Sequence, residues 1–157
     1  MHSSLLLLCF LIGCVAGLRS MMAPAIICAT AYVQWIHLEK TPLAFLDTIT
    51  ALSIFTLFAI GELIVDKLPR TPARTAPVGL ITRIITGGLC GAALAMSAAR
   101  GVPAGILLGA VGAITGAYVG YNVRRGLVTH MNLPDFVIAV VEDLLAISGG
   151  LFVVSKM

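Results

Sequence analysis

The chain alternates long apolar runs with short polar punctuation. Apolar stretches occupy residues 5–36, 43–65, 78–99, 102–121 and 134–154. Each is about 20 residues or longer, which is the helix length needed to cross a hydrocarbon core of about 30 Å. The pattern predicts an all-α integral membrane protein of about five transmembrane spans in one domain of residues 1–157. The first stretch is expected to be broken. Unbroken, its helix would be about 48 Å long, and Gly17-Leu18-Arg19-Ser20 followed by Pro24 interrupts it. A re-entrant hairpin, two thin spans and one broken span all fit. Non-helical backbone at membrane depth is tolerated only against protein or water, so Arg19 falls at a position of interest.

The polar punctuation has its own order. Tyr32, Trp35 and His37 close the first unit in the manner of an interfacial belt. Residues 66–77 form a basic loop carrying three prolines, which favour extended and fairly rigid backbone. Pro134 and Asp135 suit the first turn of the last helix. With residues 5–36 counted as one crossing, Lys67, Arg70, Arg74, Arg124 and Arg125 fall on one side. Lys40, Arg100 and Lys156 fall on the other. The first group is assigned to the cytoplasm.

Composition narrows the class. Hydrophobic residues make up 59% of the chain, charged residues 11%, and the mean hydropathy is +1.06. These values fit a multi-span membrane protein and not a soluble domain. Aromatic residues are sparse and no Lys/Arg run exceeds two, so there is no nucleic-acid signature. Cys9, Cys14, Cys28 and Cys90 make no CxxC pair, and are expected as buried, inert thiols with neither disulfide nor metal. The segment 5–15 resembles a signal-peptide core, and Leu11-Ile12-Gly13-Cys14 a lipobox. Only His2 precedes it, without Lys or Arg, so a retained helix is expected.

Against this background the ionisable residues inside or at the ends of the apolar runs carry the chemistry. They are Arg19, Glu62, Asp66, Arg83, Glu142 and Asp143. A charge in hydrocarbon is costly and normally faces a protein interior or a wet cavity. Glu142 and Asp143 lie mid-span and require partners, for which Arg19 and Arg83 are the natural choices. Glu62 and Asp66 are four apart, on one helical face near the cytoplasmic mouth. Arginines at a helix break suit anionic head groups or phosphates. Carboxylates suit proton or cation coupling. The opposing reading is a buried salt-bridge network that only specifies the fold.

A second feature is a glycine stripe. Gly101, Gly105, Gly109, Gly112, Gly116 and Gly120 recur every three or four residues, and Gly87, Gly88 and Gly91 lie in the preceding span. Such stripes let backbones approach closely. The helix-packing positions are Gly105, Gly109, Gly112, Gly116 and Gly120, either within the chain or between copies of a homo-oligomer. A weak echo between residues 19–24 and 74–77, each Arg to Pro ahead of an apolar helix, is of the kind that can mark inverted repeats. There is no GxSxG, HExxH, P-loop or GxGxxG motif, so no catalytic residue, cofactor or metal is assigned. An enzyme acting on lipids would need Glu142, Asp143 or Glu62 as base.

The run from Gly61-Glu62 through Asp66-Lys67-Leu68-Pro69-Arg70 to Pro77 resembles the signature of the bacterial membrane family called domain of unknown function 4126. Gly17-Leu18-Arg19-Ser20, the glycine-rich stretch ending in Gly120-Tyr121, and Glu142-Asp143 support the resemblance. It implies a small multi-pass bacterial membrane protein, placed in the cytoplasmic (inner) membrane, whose charged positions form one constellation, and it supplies no activity. Taken together, the chain reads as a small transporter or channel-like protein acting on a small ion or an anionic-headgroup lipid. The alternative is a non-catalytic scaffold or accessory subunit, with charges as internal ties and the glycine stripe as docking face. Lipids are the expected partners; no protein partner is indicated.

Overall fold

The computed structural model describes residues 2–65, 76–131 and 135–157. They are all-α: α1 (His2–Leu18), α2 (Met22–Tyr32), a 3-10 turn (Ala44–Asp47), α3 (Ile49–Val65), α4 (Pro77–Ser97), α5 (Val102–Met131) and α6 (Asp135–Ser155). Among the described residues, three helices are long and apolar enough to cross a membrane, at Pro77–Ser97, Val102–Thr129 and Phe136–Ser155. That corrects the expectation of about five spans. The apolar stretch 5–36 is divided into helices of 17 and 11 residues. The stretch 43–65 loses its first turn to the 3-10 segment and keeps 17 helical residues. At 1.5 Å per residue these pieces reach about 26, 17 and 26 Å, short of a core of about 30 Å.

The break after α1 has a local cause. Pro24 lacks an N–H, and its ring would collide with the carbonyl of Ser20 if one helix continued through both. At the third position of a new helix the missing donor costs nothing, because first-turn amides have no partner in the helix. Pro77 opens α4 in the same way, after an extended Ala76. Two helices end on left-handed residues, Gln34 (φ 61°) after α2 and Ala99 (φ 51°) after α4. In each case the next amide bonds back five residues, Trp35 to Thr30 and Arg100 to Ala95, both at 2.9 Å. This is the helix-ending pattern normally built on glycine.

Contacts set the directions. The Cys9 thiol donates to the Gly91 carbonyl at 3.5 Å, and Arg83 Nε to that of Gly17 at 3.0 Å, so α1 and α4 are antiparallel. Gly13 lies on Gly109 and Gly17 on Ala113, so α1 and α5 run together. The start of α2 is level with Arg83, whereas the loop after it reaches the end of α4, where Ser97 Oγ accepts from the His37 amide at 3.1 Å. The chain therefore reverses at residues 19–21, and α1 and α2 form a helical hairpin. Its tip lies beside Ala113–Ala117, about half-way along α5. α1 packs between α4, α5 and α6; α2 lies against α3, α6 and α4. The core is built from Cys9, Ile12, Ala16, Ile27, Cys28 and Leu94 with their neighbours. Outward side chains of the long helices are large and apolar, including Ile85, Leu107, Val119, Leu144 and Phe152, as lipid contact requires.

Candidate functional site

The charged residues converge on the hairpin tip. Arg19, the first residue beyond α1, is fully buried (0% exposed), and its Nη2 stands 2.6 Å from Oδ1 of Asp143 on α6. α6 presents Asp143 because its buried positions recur at helical spacing, Ile138, Ala139, Glu142, Asp143, Ala146 and Val153. Both carboxylates thus occupy the face that turns inward. Glu142 meets Arg124 of α5 at 3.4 Å. Two ion pairs therefore tie α6 to the hairpin tip and to α5.

A third pair forms on the other side of the tip. Glu62 projects from α3 and is 3.7 Å from Arg83 Nη2 of α4. Its carboxylate also takes the N–H of Ser20, the hydroxyl of Ser20 and the N–H of Met21, each at 2.8 Å. The start of α2 is thereby capped by a side chain from another helix. This placement suits an anion, because N-terminal amides point outward and the helix dipole is positive there. Arg83 also holds the backbone from below, donating to Gly17 O at 3.0 Å and Gly79 O at 3.1 Å. Among the described residues the cluster holds three arginines and three carboxylates. Of the three pairs, Arg19–Asp143 is close enough for a strong charge-assisted bond away from water.

The glycines bring these elements close enough to meet. A Cβ on Gly105 or Gly109 would strike the carbonyl of Gly91 or Gly87 on α4. On Gly112 or Gly116 it would strike the carbonyl of Phe10 or Cys14 on α1. One stripe thus serves two neighbours in the same chain, α4 first and α1 one turn later. Gly120 is buried on the same helix, and Gly101 faces open space.

Of the residues singled out from sequence, Arg19, Asp143, Arg83, Glu62 and Glu142 gather here. Glu62, expected near a mouth, is seated on the break itself. Asp66 and Arg74 lie outside the described residues, and with Arg74 the proposed echo of residues 19–24. Sequence reasoning missed Ser20, Met21 and Arg124. The two amides leave no trace in residue identity. Arg124 did leave one: it follows Gly120 by four, continuing the stripe that begins at Gly105. The four cysteines are free thiols; Cys9, Cys28 and Cys90 are buried and Cys14 is half-buried. Among the described residues no group of three or more His, Cys, Asp or Glu could hold a metal ion.

Fold and site together define a multi-pass helical membrane protein with buried salt bridges around a broken helix. Residues 6–155 match the family described as a domain of unknown function, DUF4126, and the chain belongs to that family. No curated protein and no solved structure matches it.

Proposed function

We propose that this protein is a small membrane transporter whose site is the charged cluster at the tip of the α1–α2 hairpin. The single observation that carries the reading is the Arg19–Asp143 pair, fully buried on the arginine side, at a helix break half-way along the longest helix. A broken helix carries backbone donors outside the helix's own hydrogen bonding, here occupied by the Glu62 carboxylate, and paired charges offer groups that can exchange partners. The three described pairs are closed, as an occluded state of such a transporter would have them. The substrate class is a small ion, or a lipid whose anionic head group would engage Arg19 and Arg83; Glu62, Glu142 and Asp143 would carry coupling. The inner membrane of a bacterium is the proposed location, with the 66–77 loop in the cytoplasm.

The scaffold reading draws on the same closed pairs, since paired charges need no substrate. Against it stands the use of the glycine stripe. Gly105, Gly109, Gly112 and Gly116 all face α4 or α1 of the same chain, which leaves little glycine surface for a partner.

The test is flux into proteoliposomes for a small ion panel, with a pH dye inside. Wild type is compared with Asp143→Asn and with the charge-free double variant Arg19→Met/Asp143→Leu. Flux in wild type and none in the folded double variant is the expected result. Equal flux in both removes the pair from the mechanism. No flux from well-folded wild type with ions or with labelled anionic lipid overturns the transport reading in favour of a scaffold.

A further inference from the structure

The chain between α2 and α3 mixes two kinds of side chain. Ile36, Leu38 and Leu46 are buried and pin this segment to the bundle. Beside them Tyr32, Val33, Trp35, Phe45 and Ile49 point outward, with Trp35 60% exposed. Gln34, His37, Glu39 and Lys40 are exposed among these. The Thr41 hydroxyl donates to the Leu38 carbonyl at 2.8 Å, and the Gln34 side-chain amide donates to Asp47 at 3.2 Å. These ties and the three buried side chains fix which residues face out.

Neither water nor hydrocarbon suits such a surface. Five large apolar groups gathered in one place are poorly matched to water, and Glu39 and Lys40 are costly in hydrocarbon. The boundary between the two suits both kinds. Tryptophan and tyrosine are enriched there, because each joins a flat apolar ring to one polar group. Height agrees with chemistry. Ser97, the last residue of α4, accepts the His37 amide at 3.1 Å, and α5 begins at Val102 just beyond. The outward aromatics therefore lie level with the ends of two helices long enough to cross a membrane.

That level serves as an origin for depth. From it α2 descends about 17 Å to the break, α3 about 20 Å to Glu62 and α1 about 26 Å. α5 descends about 33 Å from Val102 to Arg124. Half of a hydrocarbon core is about 15 Å. We propose that residues 32–49 lie in the head-group layer of one leaflet, with the phospholipid surface as their partner, and hang the α1–α2 hairpin from it. The charged cluster then sits beyond the midplane, in the opposite half of the bilayer, and Arg124 reaches the far head groups. The graded burial of the arginines fits this order: the side chain of Arg124 is 18% exposed, that of Arg83 7% and that of Arg19 0%. The cluster is approached from the face shared by Ala76 and Thr129. As a route for a transported ion or head group this rests on the reading above; as a placement in the bilayer it does not.

The experiment uses the fluorescence of Trp35, the chain's only tryptophan. The full chain is placed in phosphatidylcholine vesicles whose lipids are brominated either near the glycerol or near the chain ends. Aqueous iodide is the third quencher. Emission should be blue-shifted from that of free tryptophan, and the shallow bromines should remove more of it than the deep ones. Quenching by iodide without quenching by either lipid overturns the anchor in favour of a surface in water. Stronger quenching by the deep bromines overturns it in favour of a buried segment. Quenching by none of the three overturns it in favour of a protein contact, a second copy included. Two further variants set the depth scale, with Trp35→Phe in each. Val111→Trp, near the midplane, should be quenched best by the deep bromines. Val123→Trp, beside Arg124, should be quenched best by the shallow ones. Equal deep quenching at both positions overturns the displacement of the cluster toward the far face. If neither variant folds, Trp35 decides the anchor on which that displacement depends. Flux with Trp35 in water defeats the anchor and spares the transport reading; an anchored Trp35 without any flux does the reverse.

Discussion

At the scale of the residue, the governing fact is that Arg19 is fully buried. A guanidinium in that position depends on its counter-charge, and removing one partner of a buried pair typically costs about 3–5 kcal/mol. Asp143→Asn should therefore lower stability by that order, measured by thermal unfolding in detergent. Replacing both partners with apolar residues, as Arg19→Met/Asp143→Leu, should recover most of the loss, because no lone charge remains buried. The recovered protein is the one in which lost flux has functional meaning. Ala99 is a different case. Its φ of 51° places a Cβ in the left-handed region, at a cost of about 1–2 kcal/mol. Ala99→Gly should raise stability by up to about 1 kcal/mol, less than the full relief because glycine also frees the unfolded chain.

At the scale of the element, glycine position decides tolerance. Gly112→Leu would drive a side chain into the Phe10 carbonyl and push α1 from α5. Overpacking of this kind costs about 1–3 kcal/mol or more, and should appear as lower thermal stability and broadened elution on size exclusion. Unchanged behaviour would remove Gly112 from the seam. Gly61 is the counterexample, since nothing lies within 4 Å of a Cβ there. Gly61→Ala should stabilise α3 by about 0.5–1 kcal/mol.

At the scale of the whole molecule, helix directions place the connections. α4 and α6 run the same way and α5 the opposite way, so Ala76 and Thr129 lie at one end of the bundle and Gly101 at the other. Cysteines introduced at Ala76 and Thr129, in a background freed of native thiols, should react with a membrane-impermeant maleimide from one side only. A cysteine at Gly101 should react from the other. Labelling of all three from one side would refute the crossing of α5.

Much of this was legible in the chain. Apolar runs named the helices, because twenty apolar residues have few other uses. Gly17 to Pro24 announced the break, because proline at residue 24 cannot share a helix with the carbonyl at residue 20. Arg19, Arg83, Glu142 and Asp143 announced themselves by lying where water is absent. Tertiary structure decided the rest. Helix lengths after the break left three crossing helices, since the apolar run could not reveal where hydrogen bonding would stop. Pairing was equally hidden. Asp143 takes Arg19, Glu142 takes Arg124, and Glu62 takes two backbone amides and a serine. Partner choice depends on which helices approach and at what height, and that is set by glycine carbonyl contacts between α1, α4 and α5. Residue identity specifies which charges must be satisfied. Only the packed hairpin specifies by whom.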